Sequence, residues 1–126
     1  MLVQCSIRLP RDMELVTAFR HEVDQALHDD LGIGDAGRAD VGLVVSEVCA
    51  NVMTHLVRGD QYDVAVLADA LACVVEVRTV AAGHSTGASV LASSGLRILA
   101  GVASVLDVDE DDHPGLLRRV RIELAG

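Results

Sequence analysis

The sequence predicts an α/β (α+β) two-layer sandwich, with a mixed, mostly antiparallel sheet covered on one face by three helices. Three observations carry this expectation. Segments that alternate apolar and polar residues come as one near the start, a pair in the middle and a pair near the end of the chain, and two long stretches with helical apolar spacing separate the first such segment from the second. A third, shorter helical stretch precedes the last two strand candidates, so that helices are inserted between grouped strands and can share one face of a sheet.

Residues 2–9, LVQCSIRL, alternate and end at Pro10, which suits a first strand at a sheet edge. Asp12 is placed to cap a helix in which Met13, Val16, Phe19, Val23, Ala26, Leu27 and Leu31 recur at helical spacing, up to the glycine-rich break LGIGDAG. A second helix is expected from about Asp40 to about Leu56, closed by Arg58, Gly59 and Asp60. YDVAVLAD and LACVVEVRTV read as two strands of a hairpin, turning around Asp69 and Ala70. Residues 81–94, AAGHSTGASVLASS, have no period and read as a long loop, either a connection or a functional lid. GLRILAGVASVL reads as a short helix passing into a strand, DVDEDDHPG as an acidic, solvated turn, and LLRRVRIEL as the last strand.

With 126 residues and no shift in composition, the chain is expected to form one domain, 1–126. A hydrophobic content of 51% excludes a disordered chain, and 19 acidic against 10 basic residues argue against nucleic acid as a partner, because neutralising phosphates needs a basic footprint. One Phe, one Tyr and no Trp leave a core of Val, Leu and Ala and no stacking platform for bases. Every basic residue is Arg, which excludes a lysine-centred phosphate loop and Schiff-base chemistry. Cys5, Cys49 and Cys73 are odd in number and widely spaced, so they read as reduced, buried thiols of a cytoplasmic protein. No apolar run reaches the length of a membrane span, and no membrane association is expected.

The most informative stretch is SEVCANVMTH, Ser46 to His55. Glu47, Asn51 and His55 follow each other at four-residue spacing and share about an 80° arc of one helical face, onto which Asp40 and Arg58 also project. Val45, Val48, Cys49, Val52 and Leu56 form an apolar stripe on the opposite side. Spacing alone fits a solvated face of an amphipathic helix. Asn is nonetheless a poor residue in a helix interior and tends to stay where its amide is used, and His55 suits a structural role near the negative end of the helix dipole.

The run D-x-G-L-V-V-S-E-V-C-A-N-V-M-T-H resembles the N-box helix of the GHKL (histidine kinase-like) ATPase and kinase superfamily, in particular bacterial anti-sigma-factor serine/threonine kinases. The resemblance covers nearly the whole chain and implies a Bergerat-type ATP-binding fold, with ATP and Mg²⁺ as cofactors. Carried over by position, Glu47 is the general base and Asn51 the magnesium ligand. A carboxylate can take the proton from a substrate serine, and Mg²⁺ accepts a neutral amide oxygen. The loop becomes a lid, and Ser94, Gly95 and Leu96 resemble the second glycine box, whose backbone N–H groups hold phosphate.

The first glycine box departs from the family. Its adenine-binding Asp is replaced by Thr79, and of D-x-G-x-G only Gly83 survives. Losing a charge-assisted contact of that kind costs about 1.5–3 kcal/mol, which the Thr79 hydroxyl can offset in part. The resemblance therefore implies two readings. In one, an anti-sigma regulatory factor-like protein binds ATP-Mg, holds a sigma factor or phosphorylates a serine on an anti-sigma-factor antagonist, and forms a homodimer. In the other, a degenerate, non-catalytic GHKL-fold interaction module no longer binds nucleotide.

Overall fold

A computed structural model describes residues 1–57, 59–80, 102–109 and 115–124. The elements are β1 (Val3–Pro10), α1 (Met13–Leu31), α2 (Asp35–His55), β2 (Gln61–Ala68), β3 (Ala72–Val80), β4 (Ser104–Asp109) and β5 (Leu116–Glu123). The strands form one sheet in the order β1-β2-β3-β5-β4, and β1 is an edge strand as its Pro10 suggests. All four pairings are antiparallel, so the expected mixed sheet is corrected to an antiparallel one. The reason is parity: two helices between β1 and β2 take the chain away and back, so β2 returns against β1, a tight turn returns β3 against β2, and β5 runs opposite to both β3 and β4, which point the same way. Two helices lie among the described residues; the third, expected from Gly95, falls on residues outside them, as do the loop at 81–94 and Arg58.

The first helix begins where its cap says it should. Asp12 Oδ1 accepts the Glu14 N–H at 2.9 Å, and Gly32, at φ 64°, ends the helix in the left-handed conformation with its N–H returned to His28. The second helix starts five residues earlier than expected, at Asp35 rather than Asp40. Only Gly32 of the glycine-rich stretch has a positive φ among Gly32, Gly34 and Gly37; Gly34 is the N-cap and Gly37 is helical. An ion pair between Asp35 and Arg38 spans the first turn. The helix closes at His55, and Leu56 is already extended, so Gly59 (φ 91°) serves the turn into β2 and is not the helix stop.

One hydrophobic core lies between the helices and the sheet. Val16, Phe19, Val23 and Leu27 from α1 and Val41, Val44, Val45, Val48, Cys49 and Val52 from α2 are all at most 2% exposed. They meet the inward residues Tyr62, Val64, Val66 and Ala68 of β2, and Cys73, Val75 and Val77 of β3, which alternate with outward ones as the sequence pattern requires. Burial in this core pushes the Cys49 thiol up to about 11 and the Cys73 thiol up to about 12. Both therefore stay protonated and unreactive at neutral pH. The Tyr62 hydroxyl sits beside Cys49 and is pushed up by the same desolvation.

The outward face of the sheet carries cross-strand ion pairs. Arg8 Nε binds Asp63 Oδ1 at 2.7 Å, Arg78 approaches the same carboxylate at 3.5 Å, and Arg119 Nε reaches Glu76 at 3.0 Å. Each pair joins residues directly opposite in the ladder. The Arg8 hydrogen bond holds the Asp63 carboxyl below the usual carboxylate range. Exposed pairs of this kind are screened by solvent and add little stability, and their larger consequence is register, because a one-residue slip would break the pairing. The β2–β3 turn is fixed by Asp69, whose Oδ1 accepts the N–H groups of Leu71 and Ala72 at 2.8 and 2.9 Å.

Candidate functional site

The face of α2 that carries Glu47, Asn51 and His55 is not a solvated face. Asn51 and His55 are each 4% exposed, while Glu47, one turn toward the N-terminus, is half-buried. The apolar stripe on the other side, Val45 to Leu56, is buried as its pattern predicts, so the second half of α2 is enclosed on both sides. The helix packs on β3 and β5, and β5 supplies the cover over Asn51.

Both ends of the Asn51 amide are engaged. Its Nδ2 donates to the Gly115 carbonyl at 3.1 Å, and its Oδ1 accepts the Leu117 N–H at 2.7 Å. This assignment of oxygen and nitrogen is the only one in which a donor meets an acceptor at each end. The side chain thereby ties the middle of α2 to the entry of β5, across 64 and 66 residues of sequence. Gly115 takes φ 89°, which admits the sharp entry into β5, and a Cβ there would stand 3.9 Å from the His55 ring. His55 thus packs at the same junction, in line with a structural role at the helix end.

Thr79 lies at the far end of β3, opposite Tyr62 in the ladder and hence on the helix-covered face, where it is half-buried. Because β3 and β5 are antiparallel with Glu76 opposite Arg119, the Thr79 end of β3 and the Leu116 end of β5 fall at the same end of the sheet. That is the end to which Asn51 is tied. The fold therefore gathers Thr79 and Asn51 at one end of the sandwich, with Glu47 one helical turn away along α2. Gly83, Ser94, Gly95 and Leu96 lie outside the described residues. Asp107, read from sequence as part of an acidic turn, is in β4 and pairs with Arg118 at 3.8 Å.

Magnesium fits this arrangement poorly. Mg²⁺ demands oxygen ligands at about 2.0–2.1 Å in near-octahedral geometry, and the Asn51 oxygen is buried and already accepts a backbone N–H at short range. Among the described residues no three His, Cys, Asp or Glu side chains converge on one point that could hold a metal. Of the residues implied for ATP, Thr79 offers one hydroxyl, a donor and acceptor that is not equivalent to a carboxylate. On α2, next to Glu47 in sequence, the Ser46 Oγ is buried and has no hydrogen-bond partner among the described residues.

Sequence reasoning finds Asn51 but not its partners. Gly115 and Leu117 have no signal in their own residue types beyond the Pro114-Gly115 turn dipeptide, since a backbone carbonyl and N–H are offered by almost any residue. No family model matches this chain, and no curated protein matches it. Among the described residues, no helix is long and apolar enough to cross a membrane.

Proposed function

We propose that this chain is a cytoplasmic regulatory protein of the anti-sigma-factor type, similar to GHKL serine kinases, that acts by holding a sigma factor or an anti-sigma-factor antagonist. The N-box-like run on α2 and the helix-covered antiparallel sheet support this reading, and the third helix and Bergerat-type nucleotide fold belong to it. A homodimer belongs to it as well, for which β1 offers an edge with one unpaired side.

The observation that carries the choice of form in this proposal is the engagement of Asn51. With its oxygen on Leu117 N–H and its nitrogen on Gly115 C=O, and with Thr79 where the family carries Asp, the geometry favours the interaction module over a magnesium-dependent kinase. A second reading retains phosphoryl transfer from ATP, and one observation favours it: Glu47 is half-buried on α2 and has no hydrogen bond or ion pair among the described residues, which leaves its carboxylate available to accept a proton.

The test is to mix the purified protein with sigma factors and antagonists of the same cell, follow co-elution on size exclusion, and then add γ-labelled ATP with Mg²⁺. A stable complex without transfer of label is the expected result. Label transferred to an antagonist serine, and lost in Glu47→Gln while the complex persists, would replace the module with the kinase. Absence of a complex with all of them would overturn the regulatory reading.

A further inference from the structure

The two helices do not close completely on each other. Between them opens a cleft of about 160 Å³ of mixed lining: Val23, Leu27, Val41 and Val45 are its apolar side chains, and Arg20 and Arg38 share its polar part with Thr17, His21 and Asp24. It lies on the other side of α2 from Glu47 and Asn51, since the cleft-lining Val45 and Glu47 are about 200° apart around the helix. Nothing in the proposed function uses it.

Its electrostatics are unusual for a chain with a net charge of −9. Arg38 is countered by Asp35 and, at 3.4 Å, by Asp24, so the acidic charges beside the cleft are already paired. The Arg38 Nε is buried and makes no hydrogen bond, because Asp24 lies within ion-pair distance but outside hydrogen-bond geometry. Arg20 has no ion-pair partner among the described residues although the chain holds 19 carboxylates. Its guanidinium lies along α2 at Gly42: a Cβ on that residue would stand 3.0 Å from Nη2 and 3.4 Å from Nε. The absent side chain at Gly42 is what lets the cation lie against α2 beside the apolar part of the cleft.

An unpaired guanidinium over an aliphatic floor matches one class of ligand. We propose that the α1–α2 cleft binds a small monocarboxylate with a compact apolar body, the carboxylate on Arg20 and the body on Val23, Leu27 and Val41. Arginine is suited to the head because its planar fork meets a carboxylate in two parallel hydrogen bonds. The volume is suited to the body because an apolar cavity of about 150 Å³ accepts a guest the size of benzene. A doubly charged phosphate lacks the apolar body, and a neutral aromatic lacks the head.

The experiment uses benzoate, titrated into the uniformly ¹⁵N-labelled full chain and followed by amide shifts, beside benzyl alcohol and inorganic phosphate as controls. Saturable shifts clustered on α1 and α2 around Arg20, Val41 and Gly42 are expected for benzoate, with binding at least tenfold weaker for benzyl alcohol and for phosphate. Arg20→Gln, at an exposed position, should keep the amide dispersion of the native protein and weaken benzoate at least tenfold. Gly42→Ala, which displaces the same guanidinium with a single methyl group, should weaken it too. Shifts scattered over the surface, equal binding of either control, or benzoate affinity unchanged within twofold in both variants would each overturn the proposal.

Discussion

Asn51→Ala is expected to destabilise the protein by about 2–4 kcal/mol, read as a lower urea midpoint with little change in slope. The estimate follows from what the substitution leaves behind. Leu117, fully buried, would lose the Asn51 acceptor of its N–H, and the Gly115 carbonyl would lose its Asn51 donor. An unsatisfied buried group costs about 1–3 kcal/mol, and the Gly115 carbonyl, at an exposed residue, can recover part of its loss from water. A solvated helix-face asparagine would instead cost little or nothing when replaced by alanine, the better helix former. A loss below about 0.5 kcal/mol would therefore mean that the clamp does not exist in solution.

Asn51→Asp sharpens the same test through its pH dependence. The introduced carboxylate can still accept the Leu117 N–H, but it faces the Gly115 carbonyl with no proton to give and it is desolvated. Both effects raise its folded pKa above the unfolded value. A raised acid is stabilising only in its protonated form, so the variant should be nearest to wild type at low pH and lose stability as pH rises through the folded pKa. A magnesium ligand would behave the other way: aspartate binds Mg²⁺ at least as well as asparagine, and added Mg²⁺ would restore the variant at neutral pH.

Phe19→Ala is expected to be the other large loss, about 3–5 kcal/mol. Phe19 is the only phenylalanine in the chain and is 2% exposed. It fills the α1 side of a core otherwise made mostly of Val and Leu, where no neighbour is long or flexible enough to refill the space of a ring. Leu15, on the same helix but 41% exposed, is the matched control and should cost under about 1 kcal/mol when truncated. Since whole domains are stable by only about 5–15 kcal/mol, a Phe19→Ala protein should lose a large part of its stability. A cost as small as that of Leu15→Ala would contradict the packing of α1 on the sheet.

Where structure was written into nearby residues, the sequence was a good guide. Asp12 and Gly32 bound α1 through bonds to residues two to four positions away, and Asp69 makes its turn with the next three residues. Alternation in β2 and β3 identifies their inward face because period two survives whichever strands become neighbours. The start of α2 is not legible in the sequence, because the three glycines before and within its first turn are the same residue type. One of them bends the chain, one caps a helix and one lies inside it, and that difference is a matter of φ rather than composition.

The candidate site was legible only on the α2 side. Four-residue spacing places Glu47, Asn51 and His55 on one face whatever the rest of the chain does, but whether that face meets water, a nucleotide or another strand is decided by residues sixty positions away. The burial of Asn51 and His55 depends on β5 docking against α2, and β5 has no residue that announces this partner. The antiparallel sheet is a similar case, since direction follows from how many helices intervene and not from any strand's own pattern.

The most direct test of the claim that Asn51 holds the fold together, and holds no metal, is isothermal titration of the wild-type protein with ATP, once in excess Mg²⁺ and once in EDTA. The expected result is the same binding curve in both, within twofold, whether that curve shows weak binding or none up to millimolar nucleotide. Micromolar binding in Mg²⁺ that weakens tenfold or more in EDTA would contradict it, and would require the Asn51 oxygen to leave Leu117 for the ion.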